Sequence, residues 1–345
     1  MMRPILALAT VLSSLAGAAT AEVSQVCSAL LDGQSATIVV PNRPGGGYDT
    51  YARAVAPALA EHSGMMVRVI NNDAGGGAVA RELVLATPEH DILILIDNAV
   101  QLALEPLSPG SDEFAISRFD TLAFAIVEPD SWVLPEGMDL ADTSIDHMVA
   151  AQGSVWDSLV SVVLVGQALG IEADVVGGYS GSGEFVAAVL RGEVDMTTVS
   201  LQTGLKRSLG NDTHVALVVS DVPNPKAPGV AHLAGEDGLA AKRSAGLDVE
   251  TRERRQDLAR AAVSLSGEMR GLFISSALPE NMRSCLREAM AVAFADPAVA
   301  ETVTAQGRQL GAITGRAALE RTALVVETAL AHQELLDQLF VAMSD

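Results

Sequence analysis

Ala36-Thr37-Ile38-Val39-Val40, followed by Pro41-Asn42-Arg43-Pro44-Gly45-Gly46-Gly47-Tyr48 and then Asp49, is the stretch on which the fold turns. The first five residues read as a buried strand, and the proline- and glycine-rich run stops it. Asp49 is placed to cap a helix reaching to about residue 63, with Gly64 as its terminator. Strand, glycine-rich loop and helix together form the building unit of α/β architecture.

Working outward, the unit recurs. A strand is expected at 67–71, a loop at 73–77, a short helix at 78–86 and a third strand at 92–96. Strands at 121–127 and 132–134, separated by Glu128-Pro129-Asp130, mark the expected first crossing to a second lobe. A second set follows: a helix at 156–169, a strand at 173–176, a loop at 177–183 and a helix at 184–191. It continues with a strand at 196–199, a helix at 202–209 and a closing strand at 215–220. Residues 221–260 carry three prolines and the charge cluster 250–255, and read as surface connection, an exposed helix and the return crossing. A strand at 271–275 and helices at 279–295, 297–306 and 316–343 complete the first lobe. A chain of 345 residues suits two domains. The expected organisation is a leader at 1–21, lobe 1 at 22–127, lobe 2 at 128–241 and the return of lobe 1 at 242–345.

The N-terminus reads as a secretory signal. Arg3 gives a positive start, residues 5–15 an apolar stretch, and Ala19-Thr20-Ala21 a small-x-small cleavage site before Glu22. The apolar stretch falls short of the roughly 20 residues that span a bilayer. Export makes Cys27 and Cys285 a possible disulfide, which requires both ends of the chain to meet in one lobe; two buried free thiols are the alternative. The formal net charge is −21, and removing the leader takes away one more positive residue. Such a surface repels nucleic acid and anionic lipid, so neither is expected as a partner.

The chemistry lies in three glycine-rich loops, each after a strand and before a helix: Pro44 to Asp49, Asp73 to Gly77, and Gly177-Gly178-Tyr179-Ser180-Gly181-Ser182-Gly183. Glycine permits positive φ and close backbone approach, while helix N-termini present unpaired amides and partial positive charge. The combination holds a carboxylate without needing Arg or Lys. Other motifs fail. No loop runs into Lys-Ser or Lys-Thr, and none completes a dinucleotide fingerprint. Gly178-Tyr179-Ser180-Gly181-Ser182 lacks the last glycine of a nucleophile elbow. The six histidines show no metal-ligand spacing; His232 alone stays open as a remote catalytic partner. Asp49 and Asp195 are better read as a cap and a turn end than as an acid/base pair.

At these loops the chain resembles the substrate-binding component of tripartite tricarboxylate transporters, the Bug family of periplasmic receptors. The resemblance is carried by residues 41–49, by 71–77 with Ala74 in place of a glycine, by Tyr179-Ser180-Gly181, by Gly192-Glu193-Val194-Asp195 and by Asp296-Pro297. It implies a two-lobed, periplasmic-binding-protein type II-like (Venus-flytrap) α/β fold with strands crossing between lobes. It also implies a small carboxylate in the cleft, held partly by backbone amides and ordered water. The ligand contacts it implies are Gly46, Gly47, Tyr48 and Asp49 from the first loop, Gly76, Gly77 and Ala78 from the second, and Asn98. From the second lobe it implies Ser154, Ser180, Gly181 and Ser200. Two departures fall in that lobe: a short loop at Gly153-Ser154-Val155-Trp156, and Ser180 where a basic residue is frequent. Trp156 is therefore either an apolar wall of the pocket or core packing.

The expectation is a monomeric, exported receptor, not an enzyme, with no cofactor and no metal. It captures a small carboxylate and hands it to multi-spanning transporter subunits. A ligand-sensing co-receptor for a signalling system and a periplasmic enzyme acting on a carboxylate are the alternatives.

Overall fold

The computed structural model describes residues 22–86, 91–104, 115–152, 159–179 and 181–344. In chain order its strands are β1 (Ser35–Val40), β2 (Met66–Asn71), β3 (Ile92–Asn98), β4 (Phe119–Glu128), β5 (Asp130–Pro135) and β6 (His147–Ala151). These are followed by β7 (Glu172–Val176), β8 (Met196–Ser200), β9 (Thr213–Val218), β10 (Ala231–His232), β11 (Glu268–Ser275) and β12 (Ile313–Thr314). They form two six-stranded sheets, ordered β12-β4-β11-β3-β1-β2 and β10-β9-β5-β8-β6-β7. The α/β, two-lobed architecture expected from the sequence is therefore present.

The two sheets share a plan. In the first, β1 lies parallel between β2 and β3; in the second, β6 lies parallel between β7 and β8. One antiparallel strand is inserted beside each trio, β11 in the first sheet and β5 in the second. Each inserted strand arrives from the other lobe. Only Pro129 separates β4 from β5, and β11 follows a helix that packs on the second lobe. The two crossings touch: the Gly267 amide donates to Asp130 Oδ2 at 2.9 Å. Gly267 has φ +100°, and a Cβ there would lie 2.5 Å from the Glu128 carbonyl, so only glycine fits.

Local chemistry explains the elements. β1 is buried along all but its first residue because parallel neighbours cover both edges and helices both faces. The helix Gly47–Ser63 buries Tyr51, Ala52, Val55 and Leu59 and stops where Gly64, at φ +74°, returns its amide to the Ala60 carbonyl. Asp296 caps the helix Pro297–Ala305 by accepting from the Ala298 amide, with Pro297 at the first turn. The helices Gln25–Leu31 and Glu280–Ala295 are joined by a disulfide between Cys27 and Cys285, whose Cα atoms lie 5.0 Å apart. The chain ends thus meet in one lobe.

Several elements differ from the sequence reading. Helix Gly47–Ser63 begins two residues before Asp49, with Gly46 at the cap, so Asp49 sits inside the first turn. Strand β6, which the sequence reading did not include, lies between β7 and β8. The region read as surface connection and an exposed helix holds helix Val249–Leu265, capped by Asp248 and not exposed throughout. Its second half buries Leu258, Ala259, Ala261, Ala262 and Leu265, against helix Val165–Leu169 among others. The charges of 250–255 had masked the small-residue stripe behind them. The last helix divides at His332 into Gly315–Ala331 and Gln333–Ser344.

Candidate ligand-binding cleft

Both sheets present the carboxyl ends of their parallel strands to the junction, where α/β folds take ligands. In the first lobe the loops after β1 and β2 are knitted together by Asp49. Its Oδ2 accepts from the Gly45 amide at 2.8 Å, and its Oδ1 from Arg53 Nε at 2.9 Å and Asn71 Nδ2 at 3.0 Å. Asn71 also donates to the Asn42 carbonyl. Burial works to raise the Asp49 pKa, but the bonds from Arg53, Gly45 and Asn71, with the Arg53 charge, hold it below the usual aspartate value. Asp49 is thus engaged within its own lobe, shaping the loop. Gly77 has φ +95°, and a Cβ there would stand 2.8 Å from the Pro41 side chain, so the second loop can close on the first only with glycine. The Ala78 amide is spent on the carbonyls of Ala74 and Gly75. Gly76 lies in the 3₁₀ turn Ala74–Gly77 between them.

Asn98 ends β3, where its Oδ1 accepts from the Val100 amide at 3.0 Å. It lines a cavity together with Gln101, Asp130, Ser161 and the crossing residues Ser266 and Gly267. That cavity has one wall from each lobe and the crossings between them. A second, more polar cavity shares Asp130 and Ser161 and adds Gln152, Thr198, Ser200 and Thr203. Ser200 is the N-cap of helix Leu201–Ser208, and its hydroxyl contacts that of Thr203 at 3.0 Å. One amide at that helix start is already used: Glu128 Oε1 accepts from the Gln202 amide at 2.7 Å. Gly181 precedes helix Ser182–Leu190. Ser154, Trp156 and Ser180 lie outside the described residues, so the structure says nothing of them.

The sequence reading expected anion binding without a basic side chain, and it missed two arginines. A Cβ on Gly47 would meet Arg270 Cζ and Nη2 at 2.9 Å and Arg308 Nη1 at 3.0 Å. Two guanidiniums therefore converge on the N-terminus of helix Gly47–Ser63. Arg270 is buried on β11, opposite Asn98 in register, with its guanidinium over the rings of Tyr48 at 5.0 Å and Tyr51 at 5.6 Å. Tyr48 thereby supports the arginine. Two like charges held this close repel, and the helix dipole adds to the positive potential. A readable signal existed: Arg270 interrupts the apolar run from Met269 to Ile274.

Among the described residues no group of three potential ligands could hold a metal ion. His232 is buried on β10 and contacts Asp237 at 3.1 Å. Asp195 accepts from the Val149 amide at 2.8 Å and so joins β6 to the end of the turn before β8. The two cavities offer hydroxyls, amides and a helix terminus beside the Asp130 carboxylate, and the guanidiniums of Arg270 and Arg308 stand at the Gly47 helix start.

No family model matches the chain. A UPF0065 protein from the tcbD-tcbE intergenic region of Pseudomonas sp. strain P51 is 25% identical over 213 residues, 59% of this chain. The match spans 63% of that relative's length. Among solved structures, a TctC solute-binding protein from Polaromonas aligns with a TM-score of 0.64 at 17% identity, covering 86% of this chain and 98% of that one. An R. palustris protein solved with adipate aligns with a TM-score of 0.62 at 17% identity, over 89% and 97%. At these identities the likeness is one of fold. It matches the two-lobed fold that the resemblance implies.

Proposed function

We propose that this chain is a periplasmic solute receptor that captures a small carboxylate between its lobes and passes it to a membrane transporter. One observation carries the reading: two cavities that share Asp130 and Ser161 at the junction, one reaching Asn98 of the first sheet and the other Gln152, Thr198 and Ser200 of the second. A ligand there touches both lobes at once, so its binding energy favours their approach. The likeness to a TctC solute-binding protein supports the receptor role, and the likeness to a protein solved with adipate supports the carboxylate class. Among the described residues no helix is long and apolar enough to cross a membrane. The proposed leader, cleaved after Ala21, lies outside the described residues.

The lobes proposed are 22–127 with 242–345, and 128–241. Helix Val249–Leu265 precedes the return crossing at Gly267 and packs on the helical segment 159–169, which the C-terminal helix also reaches. The proposed ligand contacts remain Gly46, Gly47, Tyr48, Gly76, Gly77, Asn98, Ser154, Trp156, Ser180, Gly181 and Ser200. Asp49 and Ala78 act by shaping the loops, and the receptor works as a monomer. Native mass spectrometry of the gently purified mature protein, followed by identification of the released compound, tests the function. A stoichiometric carboxylic acid is expected; a stoichiometric sugar, nucleotide or amine would contradict it.

A further inference from the structure

We propose that Arg270 and Arg308 form a guanidinium clamp for one carboxylate of the ligand, at the N-terminus of helix Gly47–Ser63. The inference rests on the carboxylate-receptor reading and adds the residues that supply its charge. Three features coincide in space. Arg270 Nη2 and Arg308 Nη1 each come within about 3 Å of the point where a Gly47 side chain would begin, and Gly47 opens a helix of 17 residues.

The arrangement is built rather than accidental. Arg270 is 7% exposed and seated between Tyr48 and Tyr51. Tyr51 is itself fixed, its hydroxyl donating to the Gln309 carbonyl at 2.6 Å, next in the chain to Arg308. The segment that brings Arg308 in is thus tied to the helix whose N-terminus it faces. Arg308 is half-buried, and no carboxylate among the described residues pairs with it. The nearest acid on the helix, Asp49, is committed to Gly45, Arg53 and Asn71. Two guanidiniums and a helix N-terminus are therefore packed into one positive cluster, with no matching acid for Arg308 among the described residues. An oxyanion completes it, and a planar carboxylate matches the fork of a guanidinium.

The position fits the cleft. Arg270 stands opposite Asn98 across the β3–β11 pair, and Asn98 lines the cavity between the lobes. Glycine at 47 is then required for a reason beyond helix geometry: any side chain would push the guanidiniums apart.

The test is calorimetric titration of the mature wild type, Arg308→Met and Arg308→Lys with straight-chain mono- and dicarboxylates from acetate to adipate. The wild type should bind at least one of them. Arg308→Met should weaken that Kd at least tenfold and flatten its dependence on salt, whereas Arg308→Lys should lose less. Melting of the ligand-free variants controls for folding, and the lysine variant keeps the test open if the methionine variant is unstable. Carboxylate binding with unchanged Kd in both variants would overturn the clamp while leaving the receptor reading intact. Binding of none of these acids by the wild type would overturn both.

Discussion

Asp49 shows how one side chain can shape a loop through bonds within its own lobe. Its carboxylate ties the two glycine-rich loops together, and its pKa lies below the ordinary value. A depressed folded-state pKa means that its contribution to stability is complete above the unfolded value of about 3.9 and is lost as pH falls through the folded pKa. Replacing Asp49 by Asn should cost about 1–3 kcal/mol at neutral pH, the range for hydrogen bonds to a charged group. The difference from wild type should stay flat from pH 7 to about 5 and shrink below about 4. Denaturant titrations across that range read it directly. Gly77 supplies a second test, since its φ of +95° and the nearby Pro41 side chain both oppose a Cβ. Gly77→Ala should lose about 1–3 kcal/mol, whereas Gly46→Ala, at φ −77° with its nearest neighbour 3.7 Å away, should stay within about 1 kcal/mol. Equal melting temperatures for the two variants would contradict this division.

At the scale of elements, strands with β-branched runs and helices ending in Gly64 or opening at Asp296-Pro297 were legible, because their signals are local. β6 was not. His147-Met148-Val149-Ala150-Ala151 is short and alanine-rich, and becomes a strand through its neighbours β7 and β8. Helix Val249–Leu265 was misread as exposed because its charged first half hides the alanines and leucines of its second. The disulfide joins two helices through cysteines 258 residues apart in sequence, a pairing that spacing alone left open. Reducing it should lower unfolding stability by about 2–5 kcal/mol, as for other native disulfides. Denaturant midpoints with and without reductant check this; coincident curves would show that the helices hold without it. Arg243 acts similarly without covalency. It is 8% exposed and donates to the carbonyls of Leu169, Leu140, Asp142 and Ile145. Arg243→Ala leaves those acceptors unmatched and should cost about 2–4 kcal/mol.

For the whole molecule, two sheets of one plan exchange strands at Pro129 and Gly267, so the lobes are joined by short, touching segments rather than by a broad sheet. Such a junction suits rotation of one lobe on the other. The loops of the candidate site were legible because glycine between strand and helix is a pattern written in adjacent residues. Arg270 and Arg308 were not, because folding brings them to Gly47 across more than two hundred residues. If closure follows binding, a saturating ligand should lower the radius of gyration measured by small-angle scattering, and an unchanged value would contradict the hinge. The most direct test of the central claim is a thermal-shift panel of the mature protein against small carboxylates, amines and neutral sugars. Ligand at 100 times its Kd stabilises the native state by about 2.7 kcal/mol. A melting temperature raised by one class of carboxylate alone is the expected result; a rise with a sugar or an amine, and none with any carboxylate, would contradict it.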